Sequence, residues 1–174
     1  MYKNLNSQSA LGRGYVGGSG GATLTGSTIG KGMCYGSISG LEQVKFLGVE
    51  DFWGNLRQWI DGFISTSDYH ALVATDAFNS TGENYTDIGA LSTKYIGGFM
   101  TKPYGSNDTG FVIGSAGGSD STYFSDYADF NADSVPIFGG GFSDSSYAGA
   151  FRLGITYKLS SNGDMYVGGR LMYL

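Results

Sequence analysis

The stretch "GVEDFWGNLRQWIDGF", residues 48–63, decides how the rest of the chain is read. Val49, Phe52, Trp53, Leu56, Trp59, Ile60 and Phe63 recur at the 3, 4, 7 spacing that lines one face of an α-helix. Glu50 and Asp51 stand where a helix N-terminus favours negative charge, and Gly62 suits a left-handed stop. Gly54 costs about 1 kcal/mol inside a helix, which a close approach of another element would justify. The spacing predicts a helix here, with both tryptophans of the chain anchoring the core.

Outside this stretch the sequence favours strands. Segments "FISTS", "YHALVAT", "YIGGFMT" and "GFVIGSA" are short, β-prone and separated by Gly, Asn, Asp and Ser clusters. Residues 75–95 and 116–134 are polar enough to be read as long surface loops. Near the end, "GITYKL" and "MYVGGRLMYL" flank "SSNGD", where Asn162-Gly163 suits a type I′ hairpin. Ile155, Tyr157 and Leu159 alternate with Thr156 and Lys158, as a strand with one buried face requires. A mostly β, loop-rich domain with a core helix is an α+β domain. Residues 1–32, rich in glycine and thin in apolar side chains, are expected to form an arm or linker; residues 33–174 form the domain proper.

Composition narrows the function. With 31 glycines, 13 tyrosines and 11 phenylalanines but only 14 % charged residues, the chain favours ordered loops and contact surfaces over disorder. Tyr with Ser and Gly is also the mixture of antibody contact loops, rigid aromatic area beside adaptable hydrogen bonding. The formal charge of −5 gives no electrostatic case for nucleic acid or anionic membrane. No apolar run approaches the roughly 20 residues of a membrane span. "MYKNLNSQSA" lacks an apolar stretch after a basic start, so no secretory signal is expected.

The chemistry-bearing residues are sparse. His70 is the only histidine and Cys34 the only cysteine, which argues against a Ser-His-Asp site, a zinc site and an intrachain disulfide. Asp120, Asp126, Asp129 and Asp133 are close in sequence, and "DFNADS" opens like an EF-hand loop. Yet Ser134 stands where that loop needs glycine, and Gly140 where it needs a bidentate Glu. A calcium site of another geometry stays open beside the default, a solvated acidic loop with no cofactor. A polysaccharide hydrolase would need two of these carboxylates paired. "GGSDSTY" (117–123) echoes "GGFSDSSY" (140–147), two similar loops that can share one face.

Three segments in order carry a resemblance. "FGGGFSDSSYAGAFRLG…SSNGDMYVGGRLMYL" resembles the C-terminal variable region of phage receptor-binding proteins with a C-type-lectin-like fold. The major tropism determinant and other targets of diversity-generating retroelements typify that group. Gly139, Gly140, Phe142, Ala148, Gly149, Phe151, Gly168, Gly169 and Arg170 stand at the matching places. "LGVEDFWGNLRQWIDG" is similar to the helix segment ahead of that region, and "GGSDSTYFSDY" to its middle; the resemblance spans about residues 33–174. The related formylglycine-generating-enzyme-like branch acts through two cysteines, and this chain has one. The Glu-Pro-Asn and Trp-Asn-Asp calcium motifs of animal lectins are absent, as are the dense asparagines of an adenine-mutagenised repeat.

The resemblance implies a C-type-lectin-like domain in the receptor-binding part of a phage tail or head fibre. It would act on the virion surface as a homotrimer, contacting other virion subunits and a host cell-surface glycan or protein. The implied ligand face is Phe142, Ser143, Asp144, Ser145, Ser146, Tyr147, Arg152, Thr156, Tyr157, Lys158, Asp164 and Tyr166. A second expectation is a structural decoration or fibre joint with that face buried between subunits.

Overall fold

Residues 48–63 are not a helix. In the computed structural model, which describes residues 11–17, 21–37, 41–105, 112–122, 124–158 and 164–169, this stretch is a run of short strands and bends. Strand β1 (Lys45–Phe46) turns through Leu47 and Gly48 into β2 (Val49–Glu50); both turn residues have positive φ. Asp51, Gly54 and Gly62 also have positive φ, and each interrupts a helical path. The backbone donors go far away in sequence: Gly54 N to Gly139 O (3.1 Å), Arg57 N to Tyr166 O (2.9 Å), Ile60 N to Pro136 O (3.1 Å). Aromatic and β-branched residues at helical spacing also suit strands, and here the strand partners are present.

The expected α+β, C-type-lectin-like architecture is therefore overturned. No α-helix occurs among the described residues, strands make up 36 % of them, and the main sheet curls into a half-barrel. β1 and β2 pair apart from it; its own strands are β3 (Arg57–Trp59), β4 (Phe63–Ser65), β5 (His70–Val73), β6 (Thr86–Ala90), β7 (Ile96–Tyr104) and β8 (Val112–Ala116). They continue with β9 (Tyr127–Phe130), β10 (Ser134–Phe138), β11 (Leu153–Lys158) and β12 (Val167–Gly168). The order across the sheet is β6-β5-β4-β10-β11-β9-β7-β8, with β3 beside β10 and β12 beside β3. Most neighbours are antiparallel; β11–β9 and β12–β3 are parallel.

Four segments read as strands hold β4, β5, β7 and β8, and "GITYKL" holds β11. Two strands lie inside segments read as surface loops: β6 within 75–95 and β9 within 116–134. The second matters more, because Ala128 and Phe130 of β9 join Met100, Ile113 and Ile155 in the buried core. Pro136 sits inside the sheet on β10. The register shifts between Val135 and Pro136, which lets a residue without an N–H be accommodated. The Asn162-Gly163 turn and the last residues, Arg170 included, lie outside the described residues.

Trp53 is buried as expected, its Nε1 donating to Gly12 O at 3.1 Å, its ring against Phe46 and Phe52. Trp59 is 40 % exposed, which corrects its reading as a core anchor. Residues 11–17 and 21–32 lie along the 43–55 region. Asn55 brackets Thr23, accepting from its N (2.8 Å) and donating to its O (2.6 Å). Glu50, read as a helix-dipole residue, instead accepts from Gly26 N (2.6 Å), Thr28 N (3.0 Å) and the Thr28 hydroxyl. The Thr28 hydroxyl first, then those amides, hold its carboxyl below the usual range.

Candidate functional site

The loop between β10 and β11, residues 139–152, is where the sequence and the structure meet. Gly139 and Gly140 both have positive φ, and a Cβ on Gly140 would lie 2.6 Å from Ala148 Cα, so the two arms of the loop close against each other there. Asp144 folds the tip: its carboxylate accepts from Gly141 N at 2.8 Å, and its carbonyl accepts from Tyr147 N at 2.9 Å. A short 3-10 turn, Ser145–Tyr147, follows, entered through Ser145 at φ +51°. That backbone puts Ser143, Ser145 and Tyr147 on the outside while Phe142, Ala148 and Gly149 turn inward.

Beneath the loop lies a network of two arginines and two aspartates. Arg57 of β3 grips Asp144 with Nε at 2.9 Å and Nη2 closer still, in the two-pronged geometry that suits a carboxylate. Its Nη1 donates to the Tyr157 hydroxyl at 2.6 Å, which in turn donates to Asp164 at 3.0 Å. Arg152 stands between Asp144 (3.6 Å) and Asp129 (3.7 Å), with its guanidinium 5.0 Å from the centre of the Tyr127 ring. Asp129, Asp144 and Arg152 are all buried.

The carboxyls respond oppositely to this setting. Burial alone would raise Asp144, but the Arg57 hydrogen bonds, with Arg152 and the Gly141 amide, outweigh it and hold the group below its usual range. Burial raises Asp129, and Arg152 offsets this only in part. Its Oδ1 makes no hydrogen bond, nor do Nε and Nη1 of Arg152. Arg57 stays charged, since its carboxylate and Tyr157 partners overcome its burial and raise its pKa.

Aromatic rings complete the support. Tyr147 packs on Tyr127 at 4.3 Å between centroids with the rings tilted by 33°, and Phe99 packs on both. Burial, then the neighbouring Tyr95 hydroxyl, pushes the Tyr127 hydroxyl up to about 12. Phe142 stacks on Tyr166 at 5.2 Å, and Trp59 meets Tyr157 edge-on at 5.3 Å. Phe99 also joins the two echoing segments: its carbonyl accepts from Gly117 and Gly118, while its ring holds Tyr147. Tyr123, the end of the first echo, lies outside the described residues.

Of the twelve residues read as the ligand face, the structure separates two groups. Phe142, Asp144 and Arg152 are buried; Tyr157 and Tyr166 are half-buried partners of Arg57 and Phe142, and half-buried Asp164 accepts from both tyrosines. Ser143, Ser145, Tyr147 and Lys158 are exposed, with Ser146 and Thr156 half-buried beside them. Lys158 Nζ donates to Ala132 O at 2.8 Å. Sequence reading missed Arg57, which lay on the polar side of the expected helix. Its only signal was being one of ten basic residues in a chain where charge is scarce.

The other titratable groups are spread apart. Among the described residues no three His, Cys, Asp or Glu side chains gather as a metal site would need. Asp120 pairs with Arg13 at 2.9 Å, and Asp126 is buried, accepting from Phe151 N at 3.2 Å. Asp126 and Asp129, read within an acidic surface loop, thus belong to the interior. His70 Nδ1 faces Asp87 at 2.9 Å, with Asp68 4.0 Å from Nε2. No helix in the described residues is long and apolar enough to cross a membrane. Comparison with protein-family models, with curated proteins and with solved structures finds no match to this chain.

Proposed function

We propose that this chain is a non-enzymatic receptor-binding module of a phage virion, presenting the 143–147 tip to a host cell-surface glycan or protein. One observation carries the reading. The loop rests on a network of half-buried Arg57 with buried Asp144, Arg152 and Asp129, while Ser143, Ser145 and Tyr147 of its tip are exposed. A loop already fixed in place loses little entropy on binding, and Tyr147, 44 % exposed above Tyr127 and Phe99, offers rigid amphipathic area. The phage assignment comes from the resemblance that the three segments carry in order, of which the upstream segment does not form the expected helix. Several copies on one particle would turn weak single contacts into firm attachment. The experiment is adsorption of particles, or of the purified chain, to host cells with Tyr147→Ala and Ser145→Ala. Lost adsorption with an unchanged melting temperature supports the reading; unchanged adsorption by both variants overturns it.

A second reading has its own support. Leu24, Ile29, Met33, Leu41, Leu47 and Val49 are exposed and all fall within residues 24–49. An apolar surface of this kind suits contact with another subunit, as a fibre joint or capsid decoration requires. Leu24→Ser with Ile29→Ser separates the two: failed particle assembly with intact adsorption of the isolated chain assigns this region to assembly.

A further inference from the structure

A groove of about 480 Å³, whose lining includes none of residues 143–147, has Trp59, Asp61, Phe78, Asn79 and Ser80 among its walls. Two of its aromatic walls are open to solvent, Trp59 at 40 % and Phe78 at 50 %. Phe78 is not a stray surface ring, because the loop that carries it is locked by Asn79. The Asn79 amide oxygen accepts from Thr81 N (3.0 Å), the Thr81 hydroxyl (2.9 Å) and Glu83 N (3.1 Å). Its Nδ2 donates to Glu83 O (2.9 Å), and the Tyr85 hydroxyl holds its backbone on both sides. Gly62 lies directly below: a Cβ there would come within 2.8 Å of the Phe78 ring.

Two polar groups of the groove stay open. Asp61 uses Oδ1 on the Gly62 amide at 3.0 Å, and among the described residues neither its Oδ2 nor the Ser80 hydroxyl has a hydrogen-bond partner. The lining contains one carboxylate and no lysine or arginine, so it repels phosphate, sulfate and acidic sugars. A wholly apolar ligand would bury the Asp61 carboxylate without compensation. Exposed flat rings beside an open hydroxyl acceptor and donor match one chemistry, a ring with an apolar C–H face and hydroxyls on its rim.

We propose that this groove binds a neutral pyranose unit, stacked on Trp59 and Phe78, with a ring hydroxyl donating to Asp61 Oδ2 and another meeting Ser80. The proposal deepens the adhesion reading by naming a ligand class, and it uses residues that the 143–147 tip does not. Trp59 also supplies the reporter, since Trp53 is buried at 1 % exposure and Trp59 is not. The test is titration of the purified chain with maltose, cellobiose and lactose, read by tryptophan emission, with sialyllactose and a short leucine-rich peptide as comparisons. Saturable change of Trp59 emission by at least one neutral disaccharide, with a Kd of about 1 mM, is expected. Phe78→Ala should weaken it about 3- to 10-fold, the worth of one stacking ring. Asp61→Asn, which preserves shape, should weaken it with no change in melting temperature. No saturable response to any neutral disaccharide, a response to the peptide alone, or equal binding by Phe78→Ala overturns the proposal. Tyr147→Ala should leave the titration unchanged. Lost adsorption in that variant with sugar binding intact therefore bears on the displayed tip alone, and the converse result bears on the groove alone.

Discussion

Replacing Asp144 by Asn keeps the shape of the side chain and removes its charge. In the wild-type chain its carboxylate meets Arg57 at two nitrogens, accepts from Gly141 N at 2.8 Å and lies 3.6 Å from Arg152. Without that charge, the buried Arg152 and half-buried Arg57 guanidinium groups are left with Asp129, which Arg152 reaches only at 3.7 Å. Arg57 keeps the Tyr157 hydroxyl at 2.6 Å, a neutral partner that does not offset its charge. Breaking a buried ion pair by removing one partner costs about 3–5 kcal/mol. A domain of this size holds about 5–15 kcal/mol in total. The melting temperature should therefore fall by about 6–20 °C. Calorimetry or urea unfolding at neutral pH reads this directly. Adding Arg57→Gln to Asp144→Asn should recover part of the loss, because it removes the stranded charge as well. A fall under about 2 °C would mean that Asp144 is solvated and free to touch ligand, as its sequence position first indicates, and the account of a buried support would fail.

Two further perturbations test other parts of the molecule. Gly54→Ala has opposite signs in the two readings of residues 48–63: in a helix it would stabilise by about 1 kcal/mol. In the observed fold its Cβ would lie 2.3 Å from Gly14 C at φ +90°, so unfolding measurements should show a clear loss of stability, and a gain would restore the helix. His70 is held above its ordinary value of 6.5, chiefly by its hydrogen bond to Asp87. That contribution is complete below about pH 6.5 and fades as pH rises through the folded value; Asp87, held low by the Gly89 amide and then His70, loses its share as pH falls. His70→Gln should flatten the stability profile on the alkaline side of neutrality, and an unchanged slope would show that the pair contributes nothing.

The sequence revealed the strands that local signals mark and missed what depends on distant partners. β4, β5, β7 and β8 stood out as short β-prone runs between Gly, Asn, Asp and Ser clusters, and β11 by the alternation expected of its residues. β9 did not, since "YADF" is buried over three successive residues and carries an aspartate whose partner, Arg152, is 23 positions away in sequence. The helix expected over 48–63 failed for the complementary reason. Trp53, Leu56, Ile60 and Phe63 satisfy a helical spacing, but Gly54 and Asp51 adopt positive φ and the amides are taken by residues 136–166. At the site, Gly139, Gly140 and Gly141 read correctly as scaffold, whereas Phe142, read as part of the ligand face, is buried against Tyr166. Asp144 and Arg152 read wrongly as well, because a charged residue in a polar run looks exposed until Arg57 is known to sit beneath it.

Residues 139–152, whose regular structure is the single 3-10 turn Ser145–Tyr147, are held rigid by the network beneath them. Amide hydrogen exchange measures this residue by residue. The account predicts that Gly141, Phe142, Tyr147, Gly149 and Arg152, whose amides donate to Asp144, Asn55, Asp144, Gly139 and Gly149, exchange at least about 100-fold more slowly than an unstructured chain. Exchange of all five at the rate of a free peptide, in a chain whose β10 and β11 amides remain protected, would contradict it.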